Sequence, residues 1–315
     1  MKFTRKSYIK LVLIVAVSAC LLRGNSAWAQ KPLVLGVSTD VSNIAVRKDA
    51  SKAIAAYLST KLNRKIEVIL PEKNKQLIEM LQDKKVDIAF LNTFGYILTS
   101  AEANIKPIAV ISSDGKTPTS YKSCIIKNNS VSKINSIDDI KKKNIAKTIA
   151  FKFVNPTSTS GHLIPRLYFN SLGLNYTESH FKEVTFGNDH QNTIMQILQN
   201  KADVGACSYD DLQKLIKQGK LKKEDLKVLW VSKPIVNGPV VVRKDLDATS
   251  QRLLADAFLK MATEAPKLQA KIKKIWHAKG DKPYFVKAQD SWYNSIREMA
   301  NSIEELILIL SYYTD

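Results

Sequence analysis

The sequence predicts an α/β fold of two lobes, and three observations predict it. From residue 31 onward, short apolar runs alternate with amphipathic stretches, the βαβ rhythm of a mostly parallel sheet. Of the 315 residues, about 285 remain once a leader-like start is set aside, enough for two cores. A loop rich in Gly, Lys, Pro, Ser and Thr at 112–120 and a β-branched run with turn residues at 234–242 mark two crossings between lobes.

Lys2, Arg5, Lys6 and Lys10 precede an apolar stretch at 11–22 and the triplet Ala27-Trp28-Ala29, the layout of a secretory signal peptide. The apolar run is about half of the roughly 20 residues that span a bilayer. We expect export to the periplasm with cleavage near Ala29. Val17-Ser18-Ala19-Cys20 resembles a lipobox, so the alternative is a lipoprotein anchored through Cys20.

The first lobe reads as strand 33–37, helix 50–62, strand 66–70, helix 74–82, strand 86–91, helix 94–103 and strand 108–111. After the first crossing and a strand at 124–126, the second lobe reads as helix 136–143, strand 148–153 and helices 162–172 and 193–199. Strand 204–207, helix 210–218 and strand 228–231 complete it. The remainder reads as helical, and 303–310 is too short to cross a bilayer. The division is thus a leader at 1–29, first lobe at 30–122, second lobe at 123–233, and at 234–315 the return to the first lobe with C-terminal helices.

The formal charge of +19 falls to +14 without the leader, which holds five basic and no acidic residues. Such a field concentrates anions. The lysines are dispersed, Lys141-Lys142-Lys143 being the sole triplet of like charge, so the plain reading is a solvated basic surface. Cys124 and Cys207 lie in apolar strand-like runs and read as two buried thiols, with a disulfide as the alternative in an oxidising compartment.

The chemistry concentrates in Phe153-Val154-Asn155-Pro156-Thr157-Ser158-Thr159-Ser160-Gly161-His162, where a strand ends in hydroxyls and Gly and opens onto a helix. Hydroxyls cap the unpaired N–H groups at a helix start, and those groups with the helix dipole favour an anion. Gly161 is expected to let an oxyanion approach the backbone. On this stretch alone, capping is the plainer reading, and Pro165 is tolerable only in the first turn.

The stretch closely resembles the D-P-x-S-T-S-G signature of the phosphate, phosphite and phosphonate binding proteins of ABC importers. Val86-Asp87-Ile88-Ala89-Phe90-Leu91 with Tyr96, Tyr121-Lys122-Ser123, Phe186-Gly187-Asn188-Asp189-His190, Lys201-Ala202-Asp203-Val204-Gly205-Ala206 and the segment at 234–245 resemble further ordered motifs of that family. The resemblance implies a type II periplasmic binding protein fold with two crossover strands and a ligand cleft between lobes. It implies that Ser158, Thr159 and Ser160 grip the oxyanion, that His190 donates to it, and that Tyr121 and Tyr96 line the cleft. Asp210 matches an acid that meets a ligand's ammonium group. Read without the family, Tyr96 and Tyr121 are packing aromatics, His190 an ordinary histidine and Asp210 a first-turn acid.

Asp189 stands where the pattern has Ser, Thr93-Phe94-Gly95 replaces Gly-Pro before Tyr96, and Thr39-Asp40-Val41-Ser42-Asn43 matches loosely. The expected function is the solute-binding component of an ABC importer, capturing phosphonate or phosphite, or phosphate, by hinge closure. The alternatives are a sensory protein of the same fold docking on a receptor, or a binder of another small anion. The expected partner is an inner-membrane permease, with a monomeric chain and no nucleic acid, cofactor or metal. The chain has no H-E-x-x-H, G-x-S-x-G or Walker loop, so no enzyme is expected.

Overall fold

The computed structural model describes residues 30–38, 44–275, 284–300 and 302–311; the leader, Cys20 and residues 39–43 lie outside them. The described strands are β1 (Leu33–Val37), β2 (Ile66–Ile69), β3 (Ile88–Phe90), β4 (Ile105–Ser112), β5 (Ser120–Tyr121), β6 (Ser123–Asn128) and β7 (Ala150–Phe153). They continue with β8 (Glu183–Phe186), β9 (Val204–Ser208), β10 (Leu226–Val231), β11 (Ile235–Val236), β12 (Val240–Arg243) and β13 (Tyr284–Lys287). One six-stranded sheet runs β13-β4-β12-β3-β1-β2, one five-stranded sheet runs β10-β6-β9-β7-β8, and β11 pairs with β5. The chain leaves the first sheet after β4, builds the second, and returns to insert β12 between β3 and β4. The two crossing segments meet at Tyr121↔Ile235 and Ser120↔Val236.

Both sheets are mixed rather than mostly parallel. β1–β2, β1–β3, β7–β8 and β7–β9 are parallel, whereas the returning β12 and the crossing β6 run antiparallel to their neighbours. The tail is not wholly helical. β13 pairs with β4 and puts Phe285 against Phe258 and Phe90, at ring centroid distances of 5.2 and 6.4 Å. Four residues are too few for a period to stand out, and the edge strand β8 is equally short and opens on the charged Glu183.

The two Asp motifs do the same backbone work in the two sheets. Asp87 N–H donates to Val34 O at 2.9 Å while its carboxylate accepts from Val34 N at 2.8 Å. Asp203 N–H donates to Ala150 O at 3.0 Å and its carboxylate accepts from Ala150 N at 2.8 Å. Each aspartate extends the pairing of two parallel strands by a residue, so these motifs are structural.

One apolar cluster gathers Ile54, Phe90, Phe258, Met261 and Phe285 on the first sheet. A second, on its other face, holds Leu77, Leu98 and Tyr293 and also Leu163, Ile164 and Leu167 from the helix that follows β7. Burying such side chains contributes about 1.5–3 kcal/mol each, so this helix is anchored to both halves of the molecule. Its Phe169 joins Phe151, Phe153 and Phe181 in the second half. Cys124 and Cys207 sit opposite each other on β6 and β9, free, fully buried, with sulfurs 3.4 Å apart. Among the described residues no helix is long and apolar enough to cross a membrane.

Candidate functional site

Parallel strands end at the same edge of a sheet, and ligands of open α/β sheets bind outside those carboxyl ends. β7, β8 and β9 are mutually parallel, so the segments 155–161, 187–190 and 208–210 that follow them share one edge. β6 runs the other way and pairs Ser123 with Ser208, which brings Tyr121 and Lys122 to the same edge.

Asn155 shapes the first loop: its Oδ1 accepts from the N–H and hydroxyl of Thr157, both at 3.1 Å. Ser158 is the N-cap, its Oγ accepting from Gly161 N at 3.0 Å. A wide turn follows over Thr159–Leu163, in which Leu163 N donates to Ser158 O and Ile164 N to Thr159 O, before the α-helix Ile164–Ser171. The sequence places the helix start at 162; the wide turn begins three residues earlier.

Pro165 accounts for this. It has no N–H, and its ring would clash with the carbonyl four residues back, that of Gly161. The i→i+5 turn relieves the clash, and Gly161 O instead accepts from Val154 N at 3.0 Å. Among the described residues the N–H groups of Thr159 and Ser160 have no protein acceptor, and the Ser160 hydroxyl makes no hydrogen bond. These groups suit an oxyanion. Gly161 has a packing reason to lack a side chain: a Cβ there would run into the side chain of Val154, the residue that follows β7.

Behind the loop, His162 is fully buried. Its Nε2 accepts from Arg166 Nε at 3.0 Å, so the proton sits on Nδ1, which donates to Pro156 O at 2.8 Å. Arg166 forks onto Glu178 at 2.6 and 3.1 Å. Burial, then the Arg166 guanidinium, hold the His162 pKa down to about 3. The neutral ring keeps the Pro156 carbonyl, which would repel an anion, on the inner side of the loop.

His190 begins the helix His190–Leu198. Ser208 N–H donates to its Nδ1 at 2.9 Å, which places the ring proton on Nε2. Asp189 is the cap of that helix, accepting from Asn192 N at 2.8 Å. Asn188 adopts φ 73°, a left-handed turn that Asn tolerates, and its carbonyl accepts from Asn155 Nδ2 at 3.1 Å. The 155–161 and 187–190 segments are thereby tied together. Tyr121 is half-buried against the first sheet's cluster. Asp210 lies in the first turn of the helix Tyr209–Lys217, its carboxylate accepting from Lys122 N at 3.3 Å.

The first sheet faces this edge with the carboxyl ends of β1 and β3. Asn74 accepts from Ser38 Oγ at 2.8 Å and donates to Thr157 Oγ1 at 3.0 Å. Asn92 caps the helix Thr93–Glu102 and donates to Thr157 O at 2.9 Å, while Phe94 N–H donates to Thr159 Oγ1 at 3.1 Å. The hydroxyl loop therefore sits between the facing ends of both sheets.

Tyr96 is a correction. Its phenol donates to Asp290 at 2.6 Å, its ring packs 4.7 Å from that of Tyr293, and it is 1% exposed. Burial and Asp290 push its pKa up. It belongs to the core beneath the site, because its helix turns that face toward the C-terminal segment. Sequence reasoning gave no individual role to Asn74, Asn92, Asn155 or Thr157; at Asn92 and Asn155 the available signal was an Asn two residues past the end of a strand, where caps and Asx turns concentrate.

A family model described as an ABC transporter phosphonate periplasmic substrate-binding protein matches residues 39–293. The chain is 29% identical over 203 residues to the phosphonates-binding periplasmic protein of Escherichia coli K12, covering 64% of this chain and 58% of that protein, less than two thirds of its length. It is 23% identical over 214 residues to a probable ABC transporter phosphite binding protein of Prochlorococcus marinus MIT 9301, covering 66% and 70%. A solved structure of PhnD1 from that Prochlorococcus strain, in complex with methylphosphonate, superposes with a TM-score of 0.69 at 22% identity, covering 87% of this chain and 99% of that one. This last likeness shows the fold, a two-lobed type II periplasmic binding protein.

Proposed function

The chain belongs to the phosphonate family of periplasmic substrate-binding proteins of ABC transporters, and from that premise we propose that it captures a small phosphorus oxyanion, a phosphonate or phosphite, for an importer. The observation that carries the reading is the wide turn at Thr159–Leu163. It presents the N–H groups of Thr159 and Ser160 and the Ser160 hydroxyl at the edge where the two sheets meet.

In this mechanism the oxyanion accepts from those groups and from His190 Nε2–H. Ser158 keeps its hydroxyl hydrogen for the anion while its oxygen caps Gly161. Tyr121 and Asp210 wall the same edge, Asp210 favouring ligands that carry an ammonium group. Residues 30–122 with 234–315 form one lobe and 123–233 the other, and the bonds from Asn74, Asn92 and Phe94 onto the loop support closure of one lobe over the other. Closure excludes water and strengthens each hydrogen bond. The closed form is what a permease would read in the periplasm, and the chain itself performs no chemistry on its ligand.

Calorimetric titration with phosphite, phosphate, methylphosphonate, aminoethylphosphonate and sulfate at fixed salt tests this. Micromolar or tighter binding of a phosphorus compound with rejection of sulfate is expected; no binding of any phosphorus compound by folded protein overturns it.

A further inference from the structure

We propose that Ser123 is a positioning residue that couples both crossing segments to the oxyanion loop; this rests on the proposed anion site. Ser123 opens β6 and is fully buried. Its hydroxyl donates to Ser160 O at 2.6 Å.

That carbonyl needs a donor from outside its own turn. In the wide turn the carbonyl of residue i bonds the N–H of residue i+5, as Ser158 does with Leu163 and Thr159 with Ile164. For Ser160 the partner would be Pro165, which has no N–H. Ser123 supplies the missing donor. The carbonyl of Ser160 and the N–H of Gly161 belong to one peptide unit, which is planar. Ser123 holds one end of that unit and Ser158 Oγ the other, at 3.0 Å. The unit's orientation sets where the Ser158 hydroxyl and the neighbouring N–H groups point.

Ser123 is also where the crossing segments meet. Only Lys122 separates it from β5, and Ser232 lies three residues before β11. Ser123 N–H donates to Ser232 Oγ and Ser232 N–H to Ser123 O, both at 2.9 Å. Across the sheet Ser123 pairs with Ser208, whose N–H fixes the His190 ring. Movement about the crossings thus reaches the loop through the Ser123 hydroxyl, a route separate from the direct bonds of Asn74, Asn92 and Phe94.

The test compares Ser123→Ala and Ser123→Thr with the unaltered chain. Losing the hydroxyl strips a buried carbonyl of its donor, and the Ala variant is expected to bind methylphosphonate about 10-fold more weakly, chiefly through faster dissociation. The Thr variant restores most of the affinity. Without ligand, Ser123→Ala is expected to speed amide exchange at Gly161 and Leu163. A variant that loses only melting temperature, with loop exchange and affinity unchanged, overturns the proposal. If the unaltered chain binds no phosphorus compound yet Ser123→Ala still loosens the loop, the proposed function fails and the positioning role stands.

Discussion

His162 makes stability fall with acid in a calculable way. The ring is neutral in the fold because it must accept from Arg166 while donating to Pro156, and an imidazolium would set a second cation against the guanidinium. Its pKa is lowered from 6.5 to about 3, so the unfolded chain binds the proton that the fold refuses. The contribution is whole above pH 6.5 and is lost as pH falls from there toward 3. From pH 7.5 to 5 the loss is about 2 kcal/mol, from a 1.36 kcal/mol change per pH unit over the 1.5 units below 6.5. Urea unfolding at both pH values, with the unaltered chain and with His162→Asn, isolates this residue from the other histidines. The unaltered chain should lose about 2 kcal/mol more than the variant; equal losses would show that His162 is not held neutral. His162→Gln serves the same comparison if the Asn variant folds poorly.

Three other changes probe the site and its support. Ser158→Ala with Ser160→Ala should weaken methylphosphonate binding by about 2–5 kcal/mol in calorimetry, since charge-assisted bonds to a desolvated anion are worth roughly 1.5–3 kcal/mol each; a folded double variant with full affinity refutes the site. Tyr96→Phe should lower stability by about 1–2 kcal/mol through the lost bond to Asp290 and leave ligand affinity unchanged, whereas a large loss of affinity would return Tyr96 to the cleft. Gly161→Ala should cost about 1–3 kcal/mol by overpacking against Val154, read from denaturant midpoints, and a neutral outcome would mean the strand beneath can give way.

The sequence carried the loop but not its geometry. Hydroxyls after an apolar strand announce capped N–H groups, and Ser158 does cap; that Pro165 would widen the turn depends on a clash only the folded helix reveals. Gly161 was legible as a close approach, but the packing of Val154 against it was not. Tyr96 was misplaced because a motif gives a residue's position along a helix and not the face its neighbours bury. The asparagines at 74 and 92 act only once two sheets 65 to 83 residues apart in sequence meet at Thr157, a long-range pairing that local pattern does not encode. β12 escaped the expectation of parallel pairing for the same reason.

The central claim is that the oxyanion sits on the N–H groups of the wide turn, between the facing strand ends. The most direct measurement is the amide NMR spectrum of the chain titrated with methylphosphonate. Large downfield proton shifts at Thr159 and Ser160, saturating with the calorimetric affinity, are predicted. Saturable binding that leaves both amides unmoved and shifts a distant set would contradict the account.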